Sequence, residues 1–111
     1  MSIENAKITD VSLTFADHGC LTFYVTVEGN GWGTEVGGYC IGKGHLNAKE
    51  FTSTDKGLVV MMKIMDAIGV NNWGDLTGKY CRVEINGIGK PVYKIGNIIY
   101  DKWVDLKEEF K

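Results

Sequence analysis

Leu21-Thr22-Phe23-Tyr24-Val25-Thr26-Val27-Glu28 decides the fold class. Leu21, Phe23, Val25 and Val27 alternate with Thr22, Tyr24, Thr26 and Glu28. A period of two turns one set toward a core and leaves the other on a solvated sheet face. Upstream, Val11, Leu13 and Phe15 alternate in the same way with Asp10, Ser12 and Thr14. Asp17-His18-Gly19 separates the two runs, so the chain from 11 to 27 is predicted to form an antiparallel hairpin.

Past this hairpin comes the glycine-rich connection Gly29-Asn30-Gly31-Trp32-Gly33, then a weaker third strand over 34–41. The pair Gly37-Gly38 inside it points to a bulge or a close approach of another group. Residues 42–51 are polar and mixed, and are predicted as loop. The period then changes. Thr52-Ser53-Thr54-Asp55 places a hydroxyl and an acid three residues apart, as in a capping box. Leu58, Met61, Met62, Met65 and Ile68 follow at helical spacing, Lys63 and Asp66 fall opposite, and Gly69 is a stop. A helix is therefore predicted over 55–68. Val59, Val60 and Ile64 widen its apolar stripe, which should bury it well against a sheet face.

Asn71-Asn72-Trp73-Gly74-Asp75-Leu76-Thr77-Gly78 reads as a single capped turn leading back to the sheet. Cys81, Val83 and Ile85 alternate with Tyr80, Arg82 and Glu84, residues 86–90 turn the chain, and 92–100 returns. Pro91 is acceptable at the start of that strand. The tail over 101–111 is charged with spaced apolar anchors. The expected fold is α+β: a single domain over 1–111 in the order β-β-β-α-β-β. About five antiparallel strands would carry one helix on a face.

Composition bounds the function. The 111 residues carry 12 basic and 14 acidic side chains, a net charge of −2, which argues against a strongly basic nucleic-acid footprint. Fifteen glycines against one proline fit tight turns and bulges rather than a linker. The longest apolar run, 58–62, is five residues, far short of the ~20 that a spanning helix needs. Residues 1–7 show neither a basic n-region nor an apolar core, so no secretory signal and a cytoplasmic location are expected. Cys20, Cys40 and Cys81 are odd in number and irregular in spacing, as expected of small core thiols in a reducing compartment.

No motif declares a chemistry. His18-x-Cys20 and Cys40-x-x-x-x-His45 hold zinc-type ligands, but neither spacing is that of a zinc finger, and no metal is expected. The glycines of 29–38 lack the following helix or Gly-Lys-Ser/Thr that a phosphate loop needs, and no cofactor is expected. Ser2, Ser12 and Ser53 sit at the terminus, on a strand face and at a helix cap, and Glu108-Glu109 lie on a charged tail. Catalysis is not expected. Tyr24, Trp32, Tyr39, Tyr80 and Tyr93 could offer stacking surfaces to a nucleic acid or nucleotide, but the basic residues are dispersed along the chain.

Ile3-Glu4-Asn5-Ala6-Lys7-Ile8-Thr9, Asp17-His18-Gly19, Gly37-Gly38-Tyr39, Trp73-Gly74-Asp75-Leu76-Thr77-Gly78-Lys79-Tyr80, Ile95-Gly96 and Asp101-Lys102-Trp103 carry a resemblance over nearly the whole chain. The sequence resembles a group of small, functionally uncharacterised proteins of phages and prophages. Asn97 stands where that group is expected to have His, and Leu106 where it is expected to have Pro. The resemblance implies a phage-encoded, non-catalytic binder. Its expected role is stoichiometric inhibition of a host protein, as an anti-CRISPR or other anti-defence factor acting by protein–protein contact. The alternative is an accessory protein that binds nucleic acid or a nucleotide during phage replication. The expected contact surface is Asn30, Trp32, Thr34 and Glu35 with Tyr39 beside them. Trp32 between two glycines has little local burial, and tryptophan is enriched among interface hot spots.

Overall fold

The first strand runs further than its alternation. In the computed structural model, which describes residues 1–111 apart from the side chain of Asp17, β1 (Ser2–Phe15) is 14 residues long. Its C-terminal part pairs with β2 (Cys20–Gly29) as the predicted hairpin, Val11 opposite Val25 and Leu13 opposite Phe23. Its N-terminal part pairs with β6 (Tyr80–Ile85), Ala6 opposite Cys81 and Glu4 opposite Val83. Within the pairing with β2 the register shifts between Ile8 and Asp10, so that Thr9 is one extra residue. This β-bulge changes the parity of the strand. Ala6 and Ile8 before it and Val11 after it therefore all face the core.

On the far edge of β2 lie β3 (Trp32–Gly37) and the two-residue β4 (Gly42–Lys43), which pairs in turn with β5 (Thr52–Ser53). Beyond β6 come β7 (Lys94–Asn97) and β8 (Trp103–Asp105). The sheet thus has eight strands, not about five. The additional ones are too short to show a period, and β4 falls in the stretch predicted as loop. A parallel bridge between Val36 and Val92 brings β3 round to the segment ahead of β7, so the sheet curls into a half-barrel.

Helix α1 occupies Asp55–Ile68, as its spacing predicts. The Thr54 hydroxyl accepts from the Lys56 N–H at 3.0 Å, and Gly69, at φ +94°, donates its N–H to Met65 O at 2.8 Å. The buried face differs from the predicted stripe. Gly57, Val60, Met61, Ile64 and Ala67 face the sheet, while Leu58 and Met62 are 67% and 58% exposed. Small residues explain the rotation: a Cβ on Gly57 would sit 2.5 Å from Cβ of Ile41, so glycine lets the helix come down onto that segment.

The last residues are not a loose charged tail. Val104 in β8 and Leu106, which opens the short helix α2 (Leu106–Glu109), are buried. Asp105 caps α2 by accepting the Glu108 N–H at 3.1 Å, and Glu109 pairs with Lys63 of α1 at 2.8 Å. The cysteines also depart from expectation. Cys20 and Cys40 are joined as a disulfide across a sequence separation of 20, and only Cys81 is a buried core thiol. Burial pushes the Cys81 thiol up to about 12. Among the described residues no helix is long and apolar enough to cross a membrane.

Two outcomes follow from this packing. Ile64→Ala should cost about 2–5 kcal/mol in urea unfolding, and Met62→Ala less than about 0.5 kcal/mol; equal costs would place the predicted stripe on the sheet after all. Thiol titration without reductant should find no reactive group in the folded protein, because burial raises the Cys81 pKa and suppresses its thiolate. Unfolding should release one thiol, and reduction in denaturant all three cysteines.

Candidate functional site

The curl leaves one end of the sheet open, and that mouth is the candidate site. Asn30 and Gly31 form the two-residue turn between β2 and β3, with Gly31 at φ +79°, a left-handed position that glycine adopts without steric cost. Trp32 opens β3 directly opposite Gly29, and its indole lies over that glycine, where a Cβ would run into the ring. Alternation along β3 then puts Trp32, Thr34 and the fully buried Val36 on the inner face, and Gly33 and Glu35 on the outer one.

Facing Trp32 and Thr34 across the mouth is the connection from β6 to β7. Ile85, Ile88, Lys90, Pro91 and Val92 line a groove of about 700 Å³ with Trp32 and Thr34. Gly87 at φ +136° and Gly89 at φ +73° bend the connection so that Ile88 stands fully exposed between them. The amide of Asn86 ties its base by donating to Pro91 O at 3.2 Å. The lining is mainly apolar, with one cationic side chain, Lys90. On the other side of Trp32, Ile3, Glu4, Asn5 and Asn30 border a shallower depression. Trp32 is thus a half-buried ridge between two hollows.

Of the residues expected at the contact surface, Trp32 and Thr34 share the groove and Asn30 flanks it. Glu35 points away on the outer face, and Tyr39 lies elsewhere, stacked on Phe110 at 4.5 Å between ring centroids. Burial, followed by the carboxylate of Asp105 and then Tyr93, raises the Tyr39 hydroxyl above its ordinary range. The far wall, Ile85 to Val92, escaped sequence reasoning altogether. Its signal was the pair of glycines around Ile88, which reads only as a turn until the curl brings it opposite Trp32.

The other tryptophans serve the fold. Trp73 packs edge-on against Phe23 at 5.5 Å. Trp103 lies over Gly96 with the Arg82 guanidinium 5.1 Å from its ring. Arg82 also donates to Asn97 O and Tyr100 O at 2.7 Å each, and Lys94 bridges Glu84 and Asp105 at 3.6 and 3.9 Å. Backbone carbonyls satisfy Arg82, and Lys94 and its two carboxylates satisfy one another. Asn97 is structural as well: its amide donates to Ala67 O at 2.9 Å and accepts the N–H groups of Ile99 and Tyr100. Among the described residues no three His, Cys, Asp or Glu side chains group as a metal site would need.

Comparison with family models, with curated proteins and with solved structures gives no match.

If Trp32 is ridge and Trp73 is core, their removal should differ. Trp32→Ala should cost about 1–2 kcal/mol, as for a half-buried aromatic, and Trp73→Ala about 3–5 kcal/mol. Equal losses in chemical unfolding would make Trp32 a core residue and remove the ridge.

Proposed function

We propose that the protein is a non-catalytic binding module that takes an extended, apolar segment of a partner protein into the mouth of its curled sheet. One observation carries this: a groove of about 700 Å³ walled by Trp32 and Thr34 on one side and by Ile85, Ile88, Pro91 and Val92 on the other. A fully exposed isoleucine facing a half-exposed tryptophan is costly in water, and covering both returns that cost. Lys90 gives the groove one charge with which to orient a partner. A binding role rather than thiol chemistry fits the state of the cysteines: two are tied in a disulfide and the third is buried with its thiol pKa raised. In the form implied by the resemblance to phage proteins, the partner is a host defence protein held in a stoichiometric complex.

The test is capture of partners from host lysate, with and without nuclease, by the wild-type chain and by Ile88→Asp. Ile88 touches solvent all round, so its replacement should leave the melting temperature unchanged. A specific partner that survives nuclease and is lost with Ile88→Asp is the expected result. A partner retained in full by Ile88→Asp and by Trp32→Ala, or one lost on nuclease treatment, would overturn the proposal.

A further inference from the structure

Pairing along β3 is one-sided. Gly29 and Trp32 flank a two-residue turn and exchange both backbone bonds, and in an antiparallel ladder that exchange recurs at every second residue. Trp32, Thr34 and Val36 therefore turn their N–H and C=O groups toward β2, and Gly33 and Glu35 turn theirs to the opposite edge. Among the described residues no strand pairs with that edge, and the parallel bridge from Val36 to Val92 closes it only at its far end. Val36 already bonds β2, so the bridge engages the groups on either side of it, Glu35 C=O and Gly37 N–H. The Gly33 N–H and C=O and the Glu35 N–H are left without a partner strand.

The groove lies along this edge. Counted back from the bridge, Thr34 is level with Lys90 and Trp32 with Ile88, yet no ladder joins these residues. The two segments part there, and the groove of about 700 Å³ occupies the gap. An extended chain laid in it meets unpaired backbone on the β3 side, and its alternate side chains point to opposite faces. Those pointing in enter the lining of Trp32, Thr34, Ile88 and Pro91, where Lys90 disfavours a second cation. Those pointing out stand beside Glu35, with Glu28 on the same face opposite Gly33 in the ladder. Both glutamates are exposed and, among the described residues, neither is in an ion pair. Gly33 has no side chain to shield the edge, and β3 contains neither the lysine nor the proline that commonly blunts one.

Unpaired main-chain groups, an apolar trough on one face and unneutralised carboxylates on the other together specify the occupant. We infer that, granting the binding role proposed for this groove, the partner enters as an added β-strand whose residues alternate between apolar side chains facing in and lysine or arginine facing out. Its backbone pairs with Gly33 and Glu35, and its apolar side chains fill the gap between Trp32 and Ile88. Its cations lie beside Glu35, as opposite charges do across paired strands. Such a strand extends the sheet at β3 and covers the free edge.

The experiment is an NMR titration of the full chain with a short synthetic peptide of alternating lysine and valine, and with its glutamate–valine and lysine–serine counterparts. The lysine–valine peptide should bind saturably and slow exchange of the Gly33 and Glu35 amides about tenfold or more. It should also bind about tenfold tighter than either counterpart. Glu35→Lys should reverse the charge preference, and its exposure should leave the melting curve unchanged. Methylating the backbone nitrogens of the peptide's lysines blocks an antiparallel addition, and methylating those of its valines a parallel one. One of the two should therefore lose binding about tenfold. Unweakened binding of both methylated peptides, or unchanged exchange at Gly33 and Glu35 in the complex, would overturn the added strand. If Ile88→Asp still abolishes that binding, the apolar groove stands without the strand. Binding that Ile88→Asp leaves intact lies outside the groove and overturns both. Equal affinity for the glutamate peptide, or no saturable shift with any peptide, would also overturn the inference. So would a dimer of the free chain that the peptide dissociates, which would give the edge to a second copy.

Discussion

The bulge at Thr9 is the constraint on which the rest of the structure depends. Up to Lys7, β1 is paired with β6, and from Lys7 onward it is paired with β2. At the hand-over Ile8 donates to Lys79 O at 2.8 Å and accepts from Gly78 N at 2.7 Å. The extra residue keeps Ile8 and Val11 on one face although three positions separate them, so both hairpins share a single core. A strand without the bulge would turn Val11 to solvent. Local twist also rises at a bulge, which favours the curl that carries β3 round to Val92.

The curl shapes the end of β2 at Gly29, and close backbone contact shapes the end at Cys20. Where Gly29 ends the strand, Trp32 folds onto it and forms an apolar ridge facing Ile88. Where Cys20 begins it, bare backbone at Gly19 lets the turn touch the Gly44 carbonyl just past β4. Glycine matters in both places because a side chain would occupy the space that the ring or the carbonyl fills.

Much of the scaffold was legible in the residues. The hairpin over 11–27 shows in strict alternation, and α1 has the predicted bounds because Thr54 and Gly69 are chemically suited to end it. The N-terminal half of β1 was not legible, since Ser2 and Glu4 are polar at inner positions and Ile3 is apolar at an outer one, leaving only Ala6 and Ile8 to show a period. Its partner β6 is also far away in the chain, and no local pattern encodes that pairing. The helix face was misread for a related reason. Leu58, Val59, Met62 and Val60 are equally apolar, and only the steric fit of Gly57 under Ile41 decides which of them turns inward. At the site, Asn30-Gly31 marked a tight turn and Trp32 its ridge, but the opposing wall needed the curl. Likewise the disulfide depends on a fold that brings Cys20 to Cys40.

The most direct measurement is the proximity of Val36 to Val92, because the mouth over Trp32 exists only if the sheet curls that far. Nuclear Overhauser contacts between the backbones of these two residues, together with slow amide exchange at their bridge, are what the curled sheet predicts. Absence of those contacts, with the amides at the bridge exchanging as freely as those of an open strand, would contradict it and remove the groove.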